Sequence, residues 1–470
     1  MTLIIGVRAS DGRPVTIRFS ARFKMTCLIY FFYSLLLALV MLLSSPYWIY
    51  QVLRHGKYRA GFFERTGRIP ARLLRNPHSQ GKRLIWIHAV SVGEVLAVSG
   101  LVREMCRRFP EHRLVVTTTT DTGQALARTR FGEENVFYFP LDFAFAIRPY
   151  LRALRPELIV LAETEFWPNF LRLAYASGAR IVVVNGRISD RSWPRYRRFR
   201  WALKKMLAQV ELFLAQTEQD GDRLRTIGAP VERVQVTGNL KFDVAPAASP
   251  AILESLRQSL AATGSGLVLI CGSTVEGEEP LLLSAFQDVK KRHPRAVLIL
   301  APRHPERFDE VGNLIAGAGS PCLRRSQWQG EALAGGVLLL DSVGELAAVY
   351  ALADIAFVGG SLVPRGGHNI IEPAQHGVAI VVGSYTENFR DIVSLFQSRG
   401  AVAIVTPDEL SPTFVRLLAD EAERRALGKR AQETAQAQTG ATLRTLEALK
   451  KLLAASHSAQ LVSAKAAHNH

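Results

Sequence analysis

Ten short aliphatic runs recur between residues 83 and 383: "RLIWIH", "RLVVTT", "ELIVLA", "RIVVVN" and "ELFLAQ", then "GLVLICG", "AVLILAP", "GVLLLD", "DIAFVGG" and "AIVVG". Each is continuous rather than alternating. A strand with apolar side chains on both faces has no solvent side, so it belongs in a sheet covered front and back by helices. Longer amphipathic stretches separate the runs, as parallel strands require, because each crossover needs roughly a dozen residues. The pattern predicts an α/β chain with two doubly wound, Rossmann-like domains facing a cleft. In such sheets ligands sit beyond the carboxyl ends of the strands, so the residues closing each run carry the chemistry.

At 470 residues the chain exceeds one ordinary core. The Ala/Pro/Ser-rich break "DVAPAASPAILES" (243 to 255) divides the two halves of the pattern. The expected layout is a first domain over 54–243, a linker over 244–258, a second domain over 259–455 and a flexible polar tail over 456–470.

Ahead of the first domain, residues 25 to 53 contain no Asp, Glu, Lys, Arg or His. The 19-residue core "MTCLIYFFYSLLLALVMLL" would reach about 28 Å as a helix, close to the hydrocarbon thickness of a bilayer. A cleaved signal peptide is the rival reading. The run is longer than a signal core, and Tyr47, Trp48 and Tyr50 follow it as at an interface, so a single retained anchor is expected. A half-embedded helix is the weaker alternative. Residues 1 to 24 show neither an amphipathic nor a strand-like pattern and read as an upstream extension, with Met25 as the natural start. Residues 54 to 83 hold nine Lys or Arg against one acid, Glu64, which places the large domains on the cytoplasmic side.

The net charge of +17 favours polyanionic partners: nucleic acid, an anionic bilayer or phosphorylated small molecules. The stretch "GRISDRSWPRYRRFRWALKK" (186 to 205) sets eight Lys or Arg among four aromatic residues, with Asp190 its only acid. On a tethered chain it meets lipid phosphates rather than nucleic acid, or is a solvated helix face. Cys27, Cys106, Cys271 and Cys322 are scattered without pair spacing and read as buried thiols. His88, His304 and His368 are too dispersed for a metal site.

The run ends are rich in ionisable groups. In the first half Glu94 closes "IHAVSVGE", and Glu163 and Glu165 follow a strand in "LAETEFWPN". One acid in a first helical turn is explained by the helix dipole. Several on one sheet edge raise one another's pKa, which suits a general base. "TTTTDTG" (117 to 123) offers hydroxyls or simply a capped turn. In the second half, Gly366 and Gly367 precede Glu372-Pro373, a pairing that suits a phosphate at a helix N-terminus with a ribose held by the carboxylate. Arg303 and Lys241 are the available cations, or ordinary surface charges.

Taken in order, "HAVSVGE", "ETEFWPN", "NGRISDRS", "GNLKFD", "GSTVEGEE", "PRHPERF" and "GGSLVPRGGHNIIEP" resemble the motifs of the 3-deoxy-D-manno-octulosonic acid (Kdo) transferases from Met25 to about residue 450. The resemblance implies a glycosyltransferase B fold, with an acceptor domain followed by a nucleotide domain. It implies inverting transfer of Kdo from CMP-Kdo to a lipid A precursor at the inner membrane, with no cofactor and no catalytic metal. Glu94 takes the place of the general base, and Glu163 and Lys241 those of the groups supporting the transition state. Contacts to CMP fall on Pro302 and Arg303, on Val343, Gly344 and Glu345, and on Asn369, Ile370, Ile371 and Glu372. The chain departs from the family pattern at Ile370, often proline, and at Val275, where a histidine is usual. The competing expectations are a related membrane glycosyltransferase using another nucleotide sugar, and a non-catalytic polyanion binder.

Overall fold

The computed structural model describes residues 3–8, 14–19, 21–55, 61–74, 81–243, 251–262, 264 and 266–468. The chain forms two compact units, Met1–Val244 with Gly440–His470, and Ala245–Thr439.

The first unit opens on an antiparallel pair, β1 (Leu3–Arg8) and β2 (Pro14–Phe19), in register from Leu3 opposite Phe19 to Arg8 opposite Pro14. The expectation of no strand pattern over 1–24 is therefore corrected. Val15, Ile17 and Phe19 alternate with Thr16 and Arg18, the period of two that a hairpin uses. Helix α1 (Ala21–His55) follows, and its window Tyr30–Tyr47 has a mean hydropathy of 1.6 with 6% buried. It is long and apolar enough to cross a membrane. Tyr30 and Ser34 of α1 touch the rest of the unit: Ser34 Oγ accepts from Asn169 Nδ2 at 2.9 Å, and the Arg172 guanidinium lies 4.8 Å over the Tyr30 ring.

Seven parallel strands then build the first large sheet: β3 (Arg83–His88), β4 (His112–Thr118), β5 (Val136–Tyr138), β6 (Leu158–Ala162), β7 (Arg180–Gly186), β8 (Leu212–Ala215) and β9 (Val234–Val236). Their order is β5-β4-β3-β6-β7-β8-β9. The chain starts at β3, winds outward to β5, and returns to β6 on the other side. The direction of winding therefore reverses between β3 and β6, which opens a crevice at their carboxyl ends. Successive residues of β3 enter opposite cores. Trp86 packs with Phe137, Tyr150 and Phe170, whereas Ile85 and Ile87 pack with Val98 and Leu101. Burial on both faces is the reason the run carries no polar alternation.

The second face of this sheet is completed from the far end of the chain. Ala441, Leu446, Leu449 and Leu453 of the closing helix, Ala441–His468, share a core with Ile85, Val95 and Leu101. Residues from Gly440 onward thus belong to the first unit, not to a second domain ending at 455. The same helix runs to His468, across residues expected to form a flexible tail.

The second unit repeats the plan with β10 (Val268–Thr274), β11 (Val297–Pro302), β12 (Cys322–Arg324), β13 (Val337–Leu339), β14 (Ile355–Val358), β15 (Ala379–Gly383) and β16 (Ala403–Val405), all parallel. The order β12-β13-β11-β10-β14-β15-β16 puts the reversal between β10 and β14. Of the expected linker, 244–250 lies outside the described residues, and the remainder is part of a helix, Ala251–Ala262. Ile252 and Leu256 on that helix are buried against Val268 and Ile270, so it is core rather than connector. Of the cysteines expected to be buried, Cys271 is, Cys322 is half-buried and Cys106 is exposed on the solvent side of its helix; all three are free. The surroundings of Cys27 lie outside the described residues.

Candidate active site

The crevice between β3 and β6 collects the first half's acids. Helix α2 (Val92–Arg108) starts after β3 with Ser91 as its N-cap. Glu94 lies in the first turn and folds back: Oε2 accepts the Val90 N–H at 2.8 Å, and Oε1 accepts the Ser91 hydroxyl at 3.0 Å. Part of its role is therefore to satisfy a helix start. That does not account for its charge state. Glu94 is 8% exposed, and burial, followed by the charge of Glu163, pushes its carboxyl up to about 7 against the pull of the Val90 and Ser91 donors. No cation is among the groups that shift it.

Glu163 directly follows β6 in the left-handed region, φ +57°, a conformation that non-glycine residues rarely adopt. Its N–H donates to the Val184 carbonyl at 2.9 Å, and its Oε1 stands 3.8 Å from Lys241 Nζ. Burial and the charge of Glu163 also raise the Glu165 carboxyl. Helix α3 (Pro168–Ala176) anchors the far end of this loop: buried Asp142 accepts the Asn169 and Phe170 N–H groups at 3.1 and 2.7 Å. The structure thus brings Glu94, Glu163, Glu165 and Lys241 together. "TTTTDTG" is a capped turn, in which Thr120 Oγ1 accepts from the Gly123 N–H. The basic stretch forms two short helices, Trp193–Arg198 and Arg200–Leu207, with Phe199 50% and Trp201 65% exposed.

In the second unit, Pro302 closes β11 opposite Thr274 of β10, and Arg303 donates its N–H to the Thr274 carbonyl at 2.9 Å. Burial raises the Glu372 carboxyl, against the smaller pulls of the Asn369 amide and of the charge on Arg303, whose side chain is exposed. Helix α4 (Glu279–Arg292) follows the loop after β10, and Asn369 holds the turn into helix α5 (Ile371–Gln375) by accepting the Ile371 N–H at 3.1 Å, while its Nδ2 donates to Glu372 Oε1 at 3.2 Å. Ile370 and Ile371 are each 1% exposed and serve the core, so only Asn369 and Glu372 of that stretch present polar side chains. The helix that follows the glycine pair, α5, is five residues long. Val343 is 79% exposed and Gly344 has φ +94°. The Glu345 carboxylate is already held by Arg325 at 2.9 Å and by the Ser342 hydroxyl.

Two acids of "GSTVEGEE" were not singled out by sequence reasoning. Glu278 is fully buried at the β10–β14 reversal. Its Oε2 accepts the N–H groups of Val275 (3.1 Å) and Gly360 (2.7 Å), and its Oε1 those of Ser361 and Leu362 (both 2.9 Å). It therefore ties the loop after β14 to the loop after β10. Glu279 is also buried, paired with Arg307 at 2.6 Å and accepting from Thr274 Oγ1 at 3.0 Å. The available signal was two adjacent acids at a strand-to-helix junction, where two dipole-favoured surface acids were an equally good reading.

Residues 60–244 match the family described as 3-deoxy-D-manno-octulosonic-acid transferase (kdotransferase). The 3-deoxy-D-manno-octulosonic acid transferase of Haemophilus influenzae is 34% identical over 438 residues, spanning 92% of this chain and 99% of its own. The chain belongs to the Kdo transferase family. The Bordetella pertussis Kdo transferase is 37% identical over 382 residues, 78% of this chain and 87% of that relative. Among solved structures, a putative UDP-N-acetylglucosamine 2-epimerase from Listeria monocytogenes superimposes with a TM-score of 0.54 at 14% identity, covering 79% of this chain and 97% of that one. It shares the two-domain glycosyltransferase B architecture. The protein is accordingly a glycosyltransferase, and among the described residues one helix, near the amino terminus, is long and apolar enough to cross a membrane.

Proposed function

We propose that this Kdo transferase moves Kdo from CMP-Kdo to a lipid A precursor by inverting displacement, with Glu94 as general base. The observation that carries the reading is the carboxyl of Glu94, buried at the sheet's switch point and raised to about 7. A base is most useful when its pKa lies near the working pH. Glu94 takes the proton of the acceptor hydroxyl as that oxygen bonds to the anomeric carbon of Kdo and the bond to the CMP phosphate breaks, the electron pair leaving with CMP. The Glu163–Lys241 pair supports the charge that develops, as fixed charges do where little solvent reorganises. No metal is required in this scheme, because CMP is already a competent leaving group. Arg303, Asn369 and Glu372 are assigned to the cytidylate, along with the backbone from Val343 to Glu345.

The helix window Tyr30–Tyr47 and the basic excess after it support attachment to the inner membrane, with both units on the cytoplasmic side. Purified protein incubated with CMP-Kdo and tetraacylated lipid A precursor is expected to yield a product heavier by Kdo, read by mass spectrometry. Transfer from UDP-sugars but not from CMP-Kdo would overturn the donor assignment. No transfer from either would overturn the reading as a whole.

A further inference from the structure

Near the end of strand β7, two adjacent residues accept backbone N–H groups, one from Glu163 itself and one from the residue before Lys241. The Val184 carbonyl accepts the Glu163 N–H at 2.9 Å. The next residue, Asn185, is 1% exposed with φ +55°, and its Oδ1 accepts the Leu240 N–H at 3.0 Å across 55 residues of sequence. Leu240 begins the short 3-10 helix Leu240–Asp243 that carries Lys241. Around this point the β7–β8 pairing shifts register between Val183 and Gly186, and Gln216 Nε2 caps the Asn185 carbonyl at 3.0 Å. Asparagine tolerates a left-handed backbone better than most non-glycine residues and carries a neutral side-chain acceptor.

We propose that Asn185 is a positioning residue that sets Lys241 opposite Glu163 and so places the cation that supports transfer. This rests on the reading of Lys241 given above. With the Oδ1 acceptor removed, the Leu240 N–H loses its hydrogen bond to β7, and a displacement of about 1 Å at Lys241 Nζ is enough to weaken its effect by about 10²-fold.

The test is a double-mutant cycle on the full-length protein, with CMP-Kdo and lipid acceptor both varied. Asn185→Gly keeps the left-handed backbone and deletes the acceptor; Asn185→Asp keeps both. Lys241→Met is expected to lower kcat by about 10²-fold. Asn185→Gly is expected to lower kcat by about 10- to 100-fold with the donor KM nearly unchanged, and Asn185→Asp to recover most of the rate. In the Lys241→Met background, Asn185→Gly should change kcat by less than about twofold, because it acts only through the missing lysine. If the two losses instead multiply in full, Asn185 does not act through Lys241 and the proposal is overturned while the role of Lys241 stands. If Lys241→Met turns over at the wild-type rate, both fall.

Discussion

A carboxyl that titrates near neutrality is mostly protonated at pH 6 and mostly ionised at pH 8, and only the ionised form accepts a proton. With Glu94 raised to about 7, kcat/KM should climb nearly tenfold per unit below that point and level off above it. The charge on Glu163 is one cause of the elevation, so Glu163→Gln should move the midpoint to lower pH, even as kcat falls. An unchanged or higher midpoint in that variant would refute the coupling. At this scale the sequence was informative about chemistry and blind to conformation. "HAVSVGE" and "ETEFWPN" placed Glu94 and Glu163 at strand ends, but the left-handed backbone of Glu163 and Asn185 depends on bonds to residues remote in sequence. Glu278 escaped for the same reason, since three of its four N–H donors lie more than 80 residues away.

Three successive N–H groups of the loop after β14 donate to one side chain, Glu278. Glu278→Ala would leave the N–H groups of Val275, Gly360, Ser361 and Leu362 without their acceptor, and each buried orphan costs about 1–3 kcal/mol. A loss of at least about 3 kcal/mol in urea unfolding of the second unit is expected, with faster hydrogen exchange at Gly360, Ser361 and Leu362. Unaltered exchange at these amides would show that the loop is fixed by other means. Gly359 completes the same junction. A Cβ there would lie 2.5 Å from the Ser273 carbonyl and 2.7 Å from Thr274 Cα, both backbone atoms that cannot swing aside. Ten of the fourteen strands in the two large sheets were legible from continuous apolar runs, because burial on both faces leaves that imprint directly, whereas the three-residue strands β5, β9, β12 and β16 leave no such run.

For the molecule as a whole, the closing helix decides where a domain ends. Its amphipathic pattern was visible, but a pattern of that kind says only that one face is covered, not by which sheet. The structure gives it to the first unit, where Leu446, Leu449 and Leu453 are buried. At about 1.5–3 kcal/mol for each buried leucine, removing them costs about 5–9 kcal/mol, comparable to the whole stability of a domain. Truncation after Thr439 should therefore unfold the first unit, seen as loss of near-ultraviolet circular dichroism from Trp86 and its neighbours. A fully folded first unit in the truncated protein would contradict the shared core. The measurement closest to the central claim is single-turnover transfer by Glu94→Gln with saturating CMP-Kdo and lipid acceptor. Glutamine is isosteric and can still accept from the Val90 N–H, so the start of α2 is preserved while the base is lost. A rate lower by about 10²- to 10⁴-fold at unchanged melting temperature is predicted; a rate within about threefold of wild type would contradict the account.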